Sequence, residues 1–183
     1  MTGMPRFRNG ELALYYDTFG SKNDPAMLLI MGLGSQMIAW RNAFCEALAA
    51  RGFFVIRFDN RDIGLSTIFK EGPRPNLVLS MVKQSLGLPL RAAYTLDDMA
   101  NDAMSLLDYL GVGGAHLVGS SMGGMIAQVL AARRPARVRS LALLMSSPKA
   151  PLLSAPLRVQ LAYLQRRPES KAEWVDRLVQ IYR

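Results

Sequence analysis

Histidine and cysteine are nearly missing: the 183 residues hold one of each, His116 and Cys45. One cysteine excludes an internal disulfide framework and any cysteine-based zinc site, and it fits a reducing compartment. Long apolar runs are missing as well, none reaching the ~18 residues that a bilayer span requires. The opening Met1-Thr2-Gly3-Met4-Pro5-Arg6 meets charge before any apolar segment and does not read as a signal peptide. The expectation is a cytoplasmic protein with no membrane partner. Acidic residues are missing from one stretch, between Asp108 and Glu169. That window carries eight basic residues, from Arg133 to Arg167, equal to the whole net charge of +8. Aromatics do not interleave with these arginines and no nucleic-acid motif accompanies them, so no nucleic-acid partner is expected. Arg133 and Arg134 instead suit the negative end of a helix that closes there.

What is present is a core. Half of the residues are hydrophobic and only a fifth are charged, which excludes a disordered chain. A chain of this length buries roughly 70% of its unfolded surface. Glu11 to Thr18 alternates loosely and predicts a strand. A continuous apolar run predicts a buried strand at Ala26 to Met31, and mainly apolar segments predict three more at Phe53 to Phe58, Ala115 to Val118 and Val138 to Met145. Helical spacing runs through Trp40 to Arg51, from Thr95 to a stop at Gly111, and from Met122 to Arg134 before Pro135. Asp98 stands three residues after Thr95 as a capping-box partner in place of the usual Glu or Gln. A short amphipathic helix is expected within Leu77 to Leu86, and two helices broken at Pro168 within Leu157 to Arg183. Apolar strands alternating with helices imply an α/β fold, with a mostly parallel sheet covered by helices on both faces.

The chemistry sits in one turn. Gly119-Ser120-Ser121-Met122-Gly123 is G-x-S-x-G between an apolar strand and a helix, the context that makes Ser121 a candidate nucleophile exposed above the sheet. Attack by a hydroxyl creates an oxyanion, and two backbone N–H groups usually hold it. The N–H of Met122, at a helix N-terminus, is the first candidate. The N–H of Leu33, in the Met31-Gly32-Leu33-Gly34-Ser35 loop after an earlier strand, is the second. Met31, Met37, Met122 and Met125 either line an apolar acyl pocket or are ordinary packing. Rival readings of the glycines fail on spacing. A dinucleotide fingerprint needs glycine where Met37 or His116 stands, and no G-K-[ST] loop exists, so no cofactor is expected, nor a metal.

Four segments in this order resemble the α/β-hydrolase superfamily: Gly32-Leu33-Gly34, the turn from Asp59 to Ser66 (DNRDIGLS), the helix start Tyr94 to Met99 (YTLDDM), and the Ser121 turn. Their wording is most similar to aclacinomycin methylesterase-like esterases, and the resemblance covers nearly all of residues 10–183. It implies a serine esterase acting on a small-molecule ester. Met31 stands where the family often has histidine, but the donor there is backbone. Ser121 excludes the aspartate nucleophile of dehalogenase relatives. Asp59 and Arg61 read as turn structure, a carboxylate and a guanidinium stapling the loop.

The superfamily's triad runs Ser, then Asp or Glu, then His, yet the 62 residues after Ser121 contain no histidine. Glu169, Glu173 and Asp176 fall on predicted helices rather than at a strand end. His116 lies five residues before Ser121 along a strand, roughly 16 Å away towards the wrong end of the sheet, and reads as a packed strand histidine. The resemblance divides the chain into the N-terminal part of a hydrolase core, residues 1–148, and the start of a helical lid or cap, residues 149–183, in which the chain stops. The outer edge of the last strand is then unpaired. The reading is the N-terminal portion of a serine hydrolase, inactive by itself. The alternative is a finished, non-catalytic binding or interaction module, or half of a two-chain assembly. Substrate identity and oligomeric state are not fixed by these residues.

Overall fold

The computed structural model describes residues 5–69 and 92–148. The predicted helices within Leu77–Leu86 and Leu157–Arg183, and the lid or cap at 149–183, lie outside the described residues.

Six strands form one sheet: β1 (Arg6–Asn9), β2 (Leu12–Phe19), β3 (Ala26–Ile30), β4 (Phe54–Phe58), β5 (Ala115–Ser120) and β6 (Val138–Leu144). Their order is β1-β2-β4-β3-β5-β6. The first two strands run antiparallel, β1 to β2 and β2 to β4, while β4, β3, β5 and β6 are parallel. Among the described residues the α-helices are α1 (Asn42–Ala49), α2 (Leu96–Tyr109) and α3 (Met122–Arg133).

The period of two along each strand divides the core between the two faces of the sheet. Leu28, Ile30, Ile56 and Leu117 join Met99, Ala103, Leu107, Ile126 and Leu130 of α2 and α3 in the larger cluster. Their neighbours Leu29 and Val55 turn the other way and pack with Trp40 and with Cys45 of α1. Helices therefore cover both faces, and on the α1 side the buried Arg57 of β4 donates to Asp17 at 2.8 Å and Asn42 at 2.7 Å.

One strand departs from the sequence pattern and one shows its limits. The strand β1 has no alternating apolar signature, since only Phe7 of Arg6–Asn9 is buried; it exists by pairing with β2. The strand β6 lies at the rim of the described sheet, as the expected unpaired outer edge of the last strand requires, with Leu141, Leu143 and Leu144 37%, 40% and 43% exposed although its segment reads as buried. Apolar composition signals a strand; it does not say whether both of its sides are covered.

Candidate active site

Three strands end side by side at the site: β3, β5 and β6. Ser121 follows β5 in a backbone conformation, φ 53° and ψ −121°, that side chains rarely adopt. Such a residue costs about 1–3 kcal/mol and persists only where its surroundings fix it. Several contacts fix this one. The Ser121 N–H donates to the Leu144 carbonyl of β6 at 2.9 Å, and the Ser121 carbonyl accepts from Gly124 N at 2.9 Å. A Cβ on Gly119 would land on the Gly123 carbonyl and the Gly124 backbone, and one on Gly123 would land on the Ile30 carbonyl of β3. On Gly124 it would meet Ser146 at 2.5 Å. The glycines let a helix start pass close to two strand ends, which leaves Ser121 exposed.

Gly32 lies against the serine. A Cβ there would be 3.1 Å from the Cβ of Ser121 and 3.6 Å from its Oγ. The turn that follows is closed by Ser35 N donating to the Gly32 carbonyl at 3.3 Å, with Gly34 at φ 72°. Leu33 stands at its tip, 74% exposed. The N–H of Met122 opens α3, among the helix-end donors that no helical carbonyl can reach.

The loop from Asp59 braces this turn from behind. Buried Asn60 donates from Nδ2 to the Met31 carbonyl at 2.9 Å, and buried Asp59 accepts the Met37 N–H at 2.7 Å. Both ends of the Met31–Met37 segment are thereby tied to one rigid turn. Asp59 also accepts from Leu65 N at 3.2 Å, and its carbonyl accepts from Ser66 Oγ at 2.6 Å. Arg61 does not pair with Asp59. It reaches α2, donating from Nε and Nη2 to the Asp102 carboxylate at 2.6 and 2.7 Å, and lies over the rings of Phe69 and Tyr94. Burial pushes the Asp102 carboxyl up, with Arg61 pulling against it. Asp62, at φ 64°, accepts from Phe69 N and Tyr94 Oη, both at 2.6 Å. Burial and then that hydrogen bond push the Tyr94 phenol up to about 12. The turn is thus a clamp between β4, α2 and the Gly32 loop, a role its composition suggested without revealing the partners.

The methionines differ in setting. Met31 is half-buried and packs on the smaller core. Met37 is 1% exposed. Met122 packs on the larger core, and Met125 is half-buried on α3. His116 is at the opposite end of β5 from Ser121, with Nδ1 sharing a hydrogen bond with Ser140 Oγ at 2.7 Å and the ring edge-on to Phe53. It belongs to the packing. Among the described residues no cluster of three or more His, Cys, Asp or Glu forms a metal site, and no helix is long and apolar enough to cross a membrane.

Residues 25–180 match the model of the alpha/beta hydrolase fold family. The chain belongs to that family. It is similar to rhodomycin D methylesterase DauP of Streptomyces sp. (strain C5), 34% identical over 135 residues, which are 74% of this chain and 39% of that protein. It is also similar to the putative carbamate hydrolase RutD of Variovorax paradoxus, 33% identical over 132 residues, 72% of this chain and 42% of that protein. The α/β-hydrolase chain therefore spans about two-fifths of the length of these relatives. Among solved structures it resembles a hydrolase from Pseudomonas aeruginosa, with a TM-score of 0.66 and 26% identity over 94% of this chain and 56% of that one. A membrane phospholipase A matches with a TM-score of 0.69 and 27% identity, over 95% of this chain and 51% of that one.

Proposed function

We propose that Ser121 is the nucleophile of a carboxylic-ester hydrolase, completed by a histidine, which the residues after Ser121 lack, and by an acid at a strand end, where none of Glu169, Glu173 and Asp176 is expected. The strained, exposed serine against Gly32 carries this reading. Its Oγ attacks the ester carbonyl carbon while its proton passes to the histidine. The N–H groups of Met122 and Leu33 hold the oxyanion, each donor lowering the barrier by about 3 kcal/mol. The alcohol leaves with the histidine's proton, and water, activated by the same histidine, releases the acid from the acyl-serine. Met31 and Met125, both half-buried, and the buried Met37 are candidates for the acyl pocket. No cofactor takes part, and the substrate is a small ester. The methylesterase and carbamate-hydrolase names of the relatives fit acyl transfer without fixing the ester.

Without a base, Ser121 is a poor nucleophile. The 183-residue chain should therefore resist a serine-directed fluorophosphonate, while the product of the complete reading frame should take up one equivalent and lose it on Ser121→Ala. Stoichiometric labelling of the 183-residue chain alone would contradict the need for an outside histidine. A complete reading frame with no histidine after Ser121 would favour the non-catalytic binding module.

A further inference from the structure

Only three residues other than glycine adopt positive φ among the described residues: Asp62, Ser121 and Met145. The first two are accounted for. Asp62 gains hydrogen bonds to Phe69 and Tyr94, and Ser121 is the candidate nucleophile. Met145, at φ 50°, has no polar side chain to compensate, and that side chain is 85% exposed.

Its place in the fold gives the strain a use. In the parallel register Ser120 of β5 stands opposite Leu144 of β6. Met145 is one residue beyond, next to the Ser121 turn, and adjacent strands are about 4.8 Å apart. The link is bonded, since Leu144 supplies the carbonyl that accepts the Ser121 N–H. On the far side of Met145, Ser146 fills the space that a Cβ on Gly124 would occupy. The backbone is bonded on one side of the methionine, at Leu144, and closely packed on the other, at Ser146, and the left-handed turn falls on the residue between them. Gly32 flanks Ser121 from β3 and Met145 flanks it from β6. A glycine at 145 would accept this φ without strain and leave no side chain there. A thioether chain conforms to apolar surfaces of varied shape.

We infer that Met145 is a specificity-determining residue of the Ser121 site, giving apolar contact to the part of an ester next to the scissile carbonyl. This rests on the proposed function of Ser121. The test uses the protein from the complete reading frame, with one series of p-nitrophenyl esters from acetate to octanoate and one of acetate esters from methyl to octyl alcohol. Met145→Gly should lower the octyl-to-short ratio of kcat/KM about tenfold in one series, mainly through KM, which identifies the side of the ester contacted. Met145→Leu should keep the ratio. Thermal unfolding supplies the folding control, because Met145→Gly removes strain and should not lower Tm. A folded Met145→Gly protein whose ratios stay within twofold in both series overturns the inference alone. An unsubstituted protein that hydrolyses neither series overturns the reading of Ser121 and this inference with it.

Discussion

Gly123 illustrates how little room the serine turn leaves. It lies in α3, where alanine is ordinarily the better residue by about 0.5–1 kcal/mol. A methyl group there would nevertheless strike the backbone carbonyl of Ile30, which cannot rotate away as a side chain can. Overpacking of this kind costs up to about 3 kcal/mol and exceeds the propensity gain. Gly123→Ala should therefore lower the urea midpoint clearly. Gly113→Ala, where a Cβ meets nothing within 4 Å, should shift it little or upward. The motif made Ser121 and its flanking glycines legible in the sequence, since G-x-S-x-G has one structural use between a strand and a helix. Met145 was not legible. Its meaning lies in a backbone angle and in a register with Ser120, and neither leaves a mark on residue type.

At the scale of elements, α2 is the best-signalled helix and shows why. Thr95 Oγ1 accepts the Asp98 N–H at 3.2 Å, and Asp98 Oδ2 accepts the Thr95 N–H at 2.7 Å, so each satisfies an end group of the other. Aspartate does the work of the more usual glutamate. Thr95→Ala should cost about 1 kcal/mol in denaturant unfolding. The Thr95 hydroxyl, donating to Asp98 Oδ2 at 2.7 Å, and then the Thr95 N–H hold the Asp98 carboxyl below its usual range. The sign follows: the carboxylate's contribution is present above the ordinary aspartate pKa of about 3.9 and is lost as pH falls through the lower folded value. The gap between the unsubstituted protein and Asp98→Asn should therefore narrow below about pH 4. Asp102, four residues on in the middle of α2, is held by a different partner, Arg61. Asp102→Ala would leave Arg61 largely buried without its carboxylate, with only Phe69 and Tyr94 beneath it, and should cost about 3 kcal/mol. Capping was legible because it is local. The Arg61–Asp102 pair joins residues 41 apart in sequence, and nothing in either segment names the other. The short strand β1 was missed for a related reason, since its partner β2, not its own pattern, makes it a strand.

For the whole molecule, alternation of apolar strands with helices was enough to specify a mostly parallel sheet with two covered faces. It could not specify which strands would lie outermost. Val138–Leu144 and Ala115–Ser120 both read as buried strands, yet Leu117 is fully buried while Leu141 and Leu143 are more than a third exposed. An apolar rim strand is a template for further pairing. The 183-residue chain should accordingly self-associate in sedimentation velocity, and Leu143→Lys should reduce that association. The sheet order also sets a schedule for making the protein. Ile30 ends β3, but its neighbour β5 begins only at Ala115, with β4 formed on the other side in between. At about 5–20 residues per second the ribosome takes about 4–17 s to deliver the strand that covers β3 and leads into Ser121. During that interval the middle of the future sheet is an open edge, and the nascent chain is most in need of protection just before its candidate nucleophile emerges.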